Sequence, residues 1–303
     1  MGTALLFSGQ GSQYPGMGKK FYDHDENPQL YEDIFAEGSD ILGFDLKKTM
    51  FEGSEAELAV TAVSQPTIFT MSLICAEKLL KDGGSFDAAA GHSLGEYAAL
   101  VLAGSVSRSD GFTLIKHRAA CMDKAAKKNG GKMAAIIGLP PEDIENACRE
   151  INDAGDYVTA VNYNTPVQTV IAGSDAGIEK ACSLLKERGA KRALPLKVAA
   201  AFHSGYMKEA AEEFRELISG IEIKPPQKAF YSNVTGARLT DEEFSGIHEL
   251  LARHIFSPVR FTSELAAMSA AGIDSFIECG PGKTLAGMVA KTLKDASARS
   301  MDA

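Results

Sequence analysis

The chain lacks any cysteine pattern that would staple a small fold or hold a metal. Its five cysteines, Cys75, Cys121, Cys148, Cys182 and Cys279, are odd in number, widely spaced and without a Cys-x-x-Cys pair. This argues against a disulfide framework and a zinc site and points to a reducing compartment. A basic surplus is missing too. Forty Asp and Glu against 31 Lys and Arg leave a formal net charge of -9, whereas general binding to nucleic acid or anionic membranes needs a basic surface. No apolar run reaches the roughly 18 residues of a membrane-crossing helix. The segment from Met1 to Phe7 has no basic leader, so the expected location is the cytoplasm. Internal repeats and low-complexity tracts are absent.

What is present is a 303-residue chain, 45% hydrophobic and 23% charged, long enough for one large core or two modest ones. Thr3 to Phe7 reads as a strand, followed by a Gly-rich turn and helix-permissive sequence from Lys19 to Phe51. Pro66 to Lys81 has helical spacing with Pro66 placed in its first turn. Phe86 to Ala90 is a short strand that runs into Gly91-His92-Ser93-Leu94-Gly95 and a helix over 96–103. Another helix covers 110–128, with Arg118 at the edge of its apolar stripe.

The pattern changes over 130–198. Strands at 133–139, 157–162, 168–172 and 192–198 and helices at 141–152 and 175–188 give the order βαββαβ, a ferredoxin-like arrangement whose close ends suit insertion into a host. The host, 1–129 and 199–303, resumes with helices at 205–219, 241–254 and 262–271, strands at 229–232 and 273–278, and a last helix after Gly280-Pro281-Gly282. Alternating strands and helices make the fold class α/β.

Gly91-x-Ser93-x-Gly95 at a strand-to-helix joint permits the tight turn that exposes a nucleophile. A serine that caps the helix satisfies the same pattern, and the context favours the nucleophile. A serine hydroxyl needs a base. Of the six histidines, His24, His117 and His248 sit among polar or charged residues, and His92 is beside Ser93, where adjacent side chains point apart. His203, in Ala200-Ala201-Phe202-His203-Ser204, has room around its ring and is the preferred base. Spacing alone leaves this assignment open. Arg118 either turns inward to grip a carboxylate or snorkels to a nearby acid. Lys116, Arg118, Lys124, Lys127, Lys128 and Lys132, opposed locally by Asp123 alone, form either an attractive face for an acidic partner or a solvated helix face.

Together, Gly9-Gln10-Gly11-Ser12-Gln13, Gly91-His92-Ser93-Leu94-Gly95-Glu96-Tyr97, Arg118, Phe202-His203-Ser204 and Gly280-Pro281-Gly282-Lys283 resemble the malonyl-CoA:acyl carrier protein transacylase family, in order and over nearly the whole chain. The resemblance implies an α/β-hydrolase-like large domain with a ferredoxin-like insert. It implies transfer of malonyl from CoA to the phosphopantetheine thiol of acyl carrier protein through a malonyl-serine, for fatty-acid or polyketide synthesis, with no bound cofactor or metal; a compact two-part monomer is the default expectation. It assigns Ser93 as nucleophile, His203 as base, the backbone N–H groups of Gln10 and Leu94 as oxyanion hole and Arg118 as the grip on the malonyl carboxylate. The carbonyl of His254, at a position often held by glutamine, would orient the base. Phe202 would crowd an α-methyl branch, and Gln65 and Asn162 would line the pocket. The competing readings are a serine thioesterase or esterase of related fold and an inactive scaffold that binds the carrier.

Overall fold

The computed structural model describes residues 2–26 and 28–302. Its strands fall in two sheets. Strands β1 (Gly2–Phe7) and β2 (Ala88–Gly91) start the larger; β3 (Lys132–Ile137), β4 (Val158–Thr165), β5 (Gln168–Gly173) and β6 (Arg192–Pro195) make the smaller; β7 (Ala229–Ser232), β8 (Ala237–Arg238), β9 (Ile273–Cys279) and β10 (Ser297–Ser300) complete the larger.

The large sheet has the order β10-β9-β1-β2-β7-β8, and every neighbouring pair is parallel except the β7–β8 hairpin. Strand β1 explains the arrangement. Successive side chains of a strand point to opposite faces, and in β1 Leu5 and Phe7 enter one apolar cluster while Ala4 and Leu6 enter another. A strand apolar on both faces belongs in the middle of a parallel sheet covered by helices. The register aligns Phe7 with Gly91 and with Cys279. The segments after β1, β2 and β9 therefore emerge together at the carboxyl edge of the sheet, the edge where open α/β sheets form ligand crevices.

Helix Thr61–Lys81 starts five residues before Pro66 rather than at it, and Pro66 lies inside the helix. The proline removes one backbone donor, and locally Thr67 Oγ1 donates to the carbonyls of Val63 and Ser64 at 2.9 and 3.0 Å. The segment expected as one helix over 241–254 is two, Asp241–Phe244 and Ile247–His254. Thr240 and Glu243 cap the first reciprocally, and Ser245-Gly246 separates it from the second. Strand β6 ends at Pro195, three residues short of the expected Val198. Beyond the last helix, Thr284–Thr292, the tail forms β10 and pairs in parallel with β9.

The small sheet is antiparallel, in the order β4-β5-β3-β6. Ala134, Ile136 and Ile171 on one face pack with Ile144 and Ala147 of helix Pro141–Asp153 and with Ile178 and Ala181 of helix Asp175–Glu187. Met133, Ala135, Val161, Val170 and Ala172 on the other face join the main core. The two sheets thus enclose a shared region, and a bridge between Asn162 and Val259 stitches β4 to the loop after helix Ile247–His254. No helix of the described residues is long and apolar enough to cross a membrane.

Candidate active site

The turn after β2 is tighter than its glycines' dihedral angles require. A Cβ at Gly91 would lie 1.9 Å from the backbone of Gly95, and one at Gly95 would lie 2.1 Å from the carbonyl oxygen of Phe7. Both positions exclude side chains by close approach of backbone, so the chain reverses hard and the strain falls on Ser93, whose φ is +54°. Among the described residues only one other non-glycine has positive φ, His203 at +59°. Such backbone costs about 1–3 kcal/mol per residue and clusters at functional sites.

These two strained residues meet. Ser93 Oγ lies 2.7 Å from His203 Nε2. On the other side of the ring, Nδ1 faces the carbonyl oxygens of His254 at 3.0 Å and Ser257 at 3.1 Å. Carbonyls only accept, so Nδ1 carries the hydrogen and the neutral ring turns its Nε2 lone pair to the serine. Burial, assisted by His254, Arg118 and His92 nearby, holds the His203 pKa well below the ordinary imidazole value. The ring is therefore neutral at pH 7 and able to accept a proton.

Arg118 turns inward. It is 1% exposed, and its Nη1 donates to Gln65 Oε1 at 2.7 Å while Nη2 donates to Ser93 Oγ at 3.0 Å. The guanidinium also sits over the Tyr97 ring, 5.4 Å from the centroid. Among the described residues no carboxylate forms an ion pair with Arg118, and its Nε has no hydrogen-bond acceptor. Burial lowers its pKa, partly offset by Tyr97 and Glu96. A guanidinium remains charged in proteins. A buried cation held only by neutral partners is an incomplete pair.

An inner pocket of about 70 Å³ is lined by Gln10, Ser93, Met122, Asn162, Phe202 and His203, among others. It shares Gln10, His92, Asn162 and Leu196 with an outer cleft of about 230 Å³ that runs past Ser12, Gln168 and Met288. Gln65, like the Arg118 whose Nη1 it binds, lies off the surface of this pocket. Asn162 Oδ1 is buried without a partner. Among the described residues the backbone N–H groups of Gln10 and Leu94 donate to no protein acceptor. His92 points away, its Nε2 2.8 Å from Asn164 Oδ1. His24 and His248 meet backbone carbonyls at Lys20 and Ile221. Among the described residues no group of three or more His, Cys, Asp or Glu converges to hold a metal.

The six-cation cluster is not a free basic face. Lys124, Lys127, Lys128 and Lys132 pair with Glu213, Asp123, Glu209 and Asp175 respectively, while Arg118 is buried. The acids Glu209 and Glu213 come from helix Lys208–Ile218, which packs against helix Arg108–Asn129 and whose proximity local sequence does not show. The sequence also hid Asn233 and Glu264 and gave Glu96 no role beyond its place in the motif; all three are fully buried beneath the Ser93 turn. The one available signal for Asn233 is its position directly after a strand of the same sheet.

Residues 4–302 match the family model described as the acyl transferase domain. The chain is 40% identical over 288 residues to a malonyl CoA-acyl carrier protein transacylase of Bacillus subtilis (strain 168), covering 95% of this chain and 89% of that protein. Its fold superposes with a TM-score of 0.93 on the acyl-carrier-protein S-malonyltransferase of Burkholderia pseudomallei 1710b, at 39% identity over 100% of this chain and 97% of that one. A type II PKS acyl-carrier protein in complex with its malonyl-transacylase gives the same TM-score at 36% identity, again covering 100% and 97%. Within the acyl transferases, the chain belongs to the malonyl CoA-acyl carrier protein transacylase family.

Proposed function

We propose that this chain transfers malonyl from CoA to the phosphopantetheine thiol of an acyl carrier protein, with Ser93 as nucleophile and His203 as the proton carrier. The observation that carries this reading is the Arg118 guanidinium, buried with no ion-pair partner among the described residues and 3.0 Å from Ser93 Oγ, which itself lies 2.7 Å from His203 Nε2. An acyl group that brings its own carboxylate completes that pair at the point where the serine attacks.

In the first half-reaction Ser93 Oγ forms a bond to the thioester carbonyl carbon while its proton passes to His203 Nε2. The oxygen of the tetrahedral intermediate takes the N–H groups of Gln10 and Leu94. The C–S bond then breaks and the CoA sulfur leaves with the proton from Nε2. In the second half the carrier's thiol gives its proton to Nε2 and attacks the malonyl-serine ester. The C–O bond breaks and Ser93 Oγ regains the proton. Through both halves the carbonyls of His254 and Ser257 hold Nδ1–H and fix the ring. Arg118 keeps the malonyl carboxylate in place, Gln65 orients the guanidinium, the unpaired Oδ1 of Asn162 accepts from an N–H of the pantetheine chain, and Phe202 narrows the space beside the α-carbon.

We assign 1–129 with 199–303 to an α/β-hydrolase-like domain and 130–198 to a ferredoxin-like insert. The β4-β5-β3-β6 order supports the second assignment. All five cysteines are free thiols, in keeping with a reducing cytoplasm.

Initial rates measured against malonyl-CoA and holo acyl carrier protein test the mechanism. Parallel double-reciprocal lines and a carrier gaining the malonyl mass are expected. Intersecting lines overturn the covalent route, and free malonate appearing at the same rate without carrier marks a hydrolase.

A further inference from the structure

Ser93 and His203 are supported by different parts of the chain, yet one side chain unused by the chemistry above touches both supports. Asn233 follows β7, the strand beside β2, and is fully buried. Two backbone groups fix its amide orientation. The Gly91 carbonyl accepts from Nδ2 at 2.7 Å, and the Ser93 N–H donates to Oδ1 at 2.7 Å. The same Oδ1 lies 3.1 Å from His254 Nε2, so that nitrogen carries a hydrogen. The other ring nitrogen of His254 is 2.8 Å from Glu96 Oε2. Glu96 Oε1 accepts from the Asn233 N–H, and Glu264 Oε1 accepts the second Nδ2 hydrogen, both at 2.5 Å. The Asn233 carbonyl accepts from the Arg260 N–H at 3.0 Å, so every polar atom of Asn233 is committed.

We propose that Asn233 is a positioning residue for both members of the dyad. It pins the Ser93 backbone directly and, through the His254 ring, the carbonyl that orients His203. A serine in the left-handed region persists only where its surroundings over-determine it, and the Oδ1 bond to its N–H supplies that constraint in the tight turn. The side chain of His254, and not its carbonyl alone, then matters to the rate. This inference rests on the proposed roles of Ser93 and His203.

The test uses the full chain, malonyl-CoA and holo carrier. Asn233→Ala is expected to lower kcat about 10²-fold, the scale set by misplaced reacting groups, with KM for malonyl-CoA changed less than about threefold because the acyl grip stays intact. A purely structural role predicts loss of folded protein with unchanged kcat per folded molecule. A buried alanine at this site can prevent folding, so His254→Gln and His254→Met decide independently. Both keep the backbone carbonyl, but only glutamine keeps a donor for Oδ1, and it is expected to turn over at least about fivefold faster than methionine. Folded Asn233→Ala with kcat within about twofold of wild type overturns the inference, as does methionine equal to glutamine at 254. Wild type that forms no malonyl-serine overturns the reading of the site along with it; wild type that does, beside an unaffected Asn233→Ala, overturns this inference alone.

Discussion

Replacing Arg118 by alanine separates recognition of the malonyl carboxylate from the chemistry at Ser93. The guanidinium has two outward nitrogens, one bound to Gln65 at 2.7 Å and one to Ser93 Oγ at 3.0 Å, and no acidic partner among the described residues. A malonyl carboxylate arriving there forms a buried, charge-assisted pair. Truncating one side of such a pair costs about 3–5 kcal/mol, because the remaining charge stays buried and uncompensated. At about 1.4 kcal/mol per tenfold, kcat/KM for malonyl-CoA is expected to fall by about two to nearly four orders of magnitude. Acetyl-CoA has no carboxylate to strand, so its kcat/KM should fall less, by about 10- to 160-fold at most, the worth of one charge-assisted hydrogen bond to Ser93 Oγ. The assay is carrier acylation from each donor by wild type and Arg118→Ala, with folding checked by circular dichroism. An equal loss with both donors, leaving the malonyl-to-acetyl ratio unchanged, would refute the assignment of Arg118 to the carboxylate. Arg118→Lys should recover only part of the loss, since an ammonium cannot make the two parallel bonds of a guanidinium.

The strain at Ser93 predicts that Ser93→Gly is about 1 kcal/mol more stable than Ser93→Ala in denaturant unfolding, since only glycine adopts φ of +54° without penalty; equal stabilities would count against strain at the turn. The depressed pKa of His203 predicts that the acid limb of kcat/KM lies below the ordinary imidazole range, with activity holding as pH falls through about 6.5. The same depression lowers folding stability as pH drops below about 6.5 towards the folded-state pKa, because the unfolded histidine takes up a proton that the buried one does not. An acid limb at or above the ordinary value would contradict the neutral, buried base. Phe202→Ala is expected to raise methylmalonyl relative to malonyl transfer by about 10- to 200-fold, the range for one methylene-sized group in a pocket; an unchanged ratio would make Phe202 a packing residue.

The serine turn was legible because backbone crowding forces glycine at 91 and 95, and that requirement shows in the sequence as a spacing. His203 was legible as a ring among small residues, and the family resemblance supplied the His254 carbonyl that faces its Nδ1, but not the second carbonyl, of Ser257, which carries no side-chain signal for that task. The inward turn of Arg118 depends on the Gln65 side chain, 53 positions away, and helical spacing alone could not choose it over an outward pose. Asn233 and Glu264 escaped notice for the same reason, and Glu96, though part of the motif around Ser93, was given no role. Each looks local, an asparagine in a turn and two acids in first helical turns, and only the β2–β7 pairing brings them under one serine. The βαββαβ order of 130–198 was readable because its strands and helices are short, regular and well punctuated. Strand β10 was not, because Ser297-Ala298-Arg299-Ser300 is held by its neighbour β9 and has no strand signature of its own.

The most direct test of the central claim is the mass of the protein after brief exposure to malonyl-CoA without carrier, followed by peptide mapping. The account predicts one malonyl group, as an ester on Ser93, absent in Ser93→Ala and discharged when holo acyl carrier protein is added. A folded protein that transfers malonyl to carrier with no adduct on Ser93, or with the adduct on another residue, would contradict it.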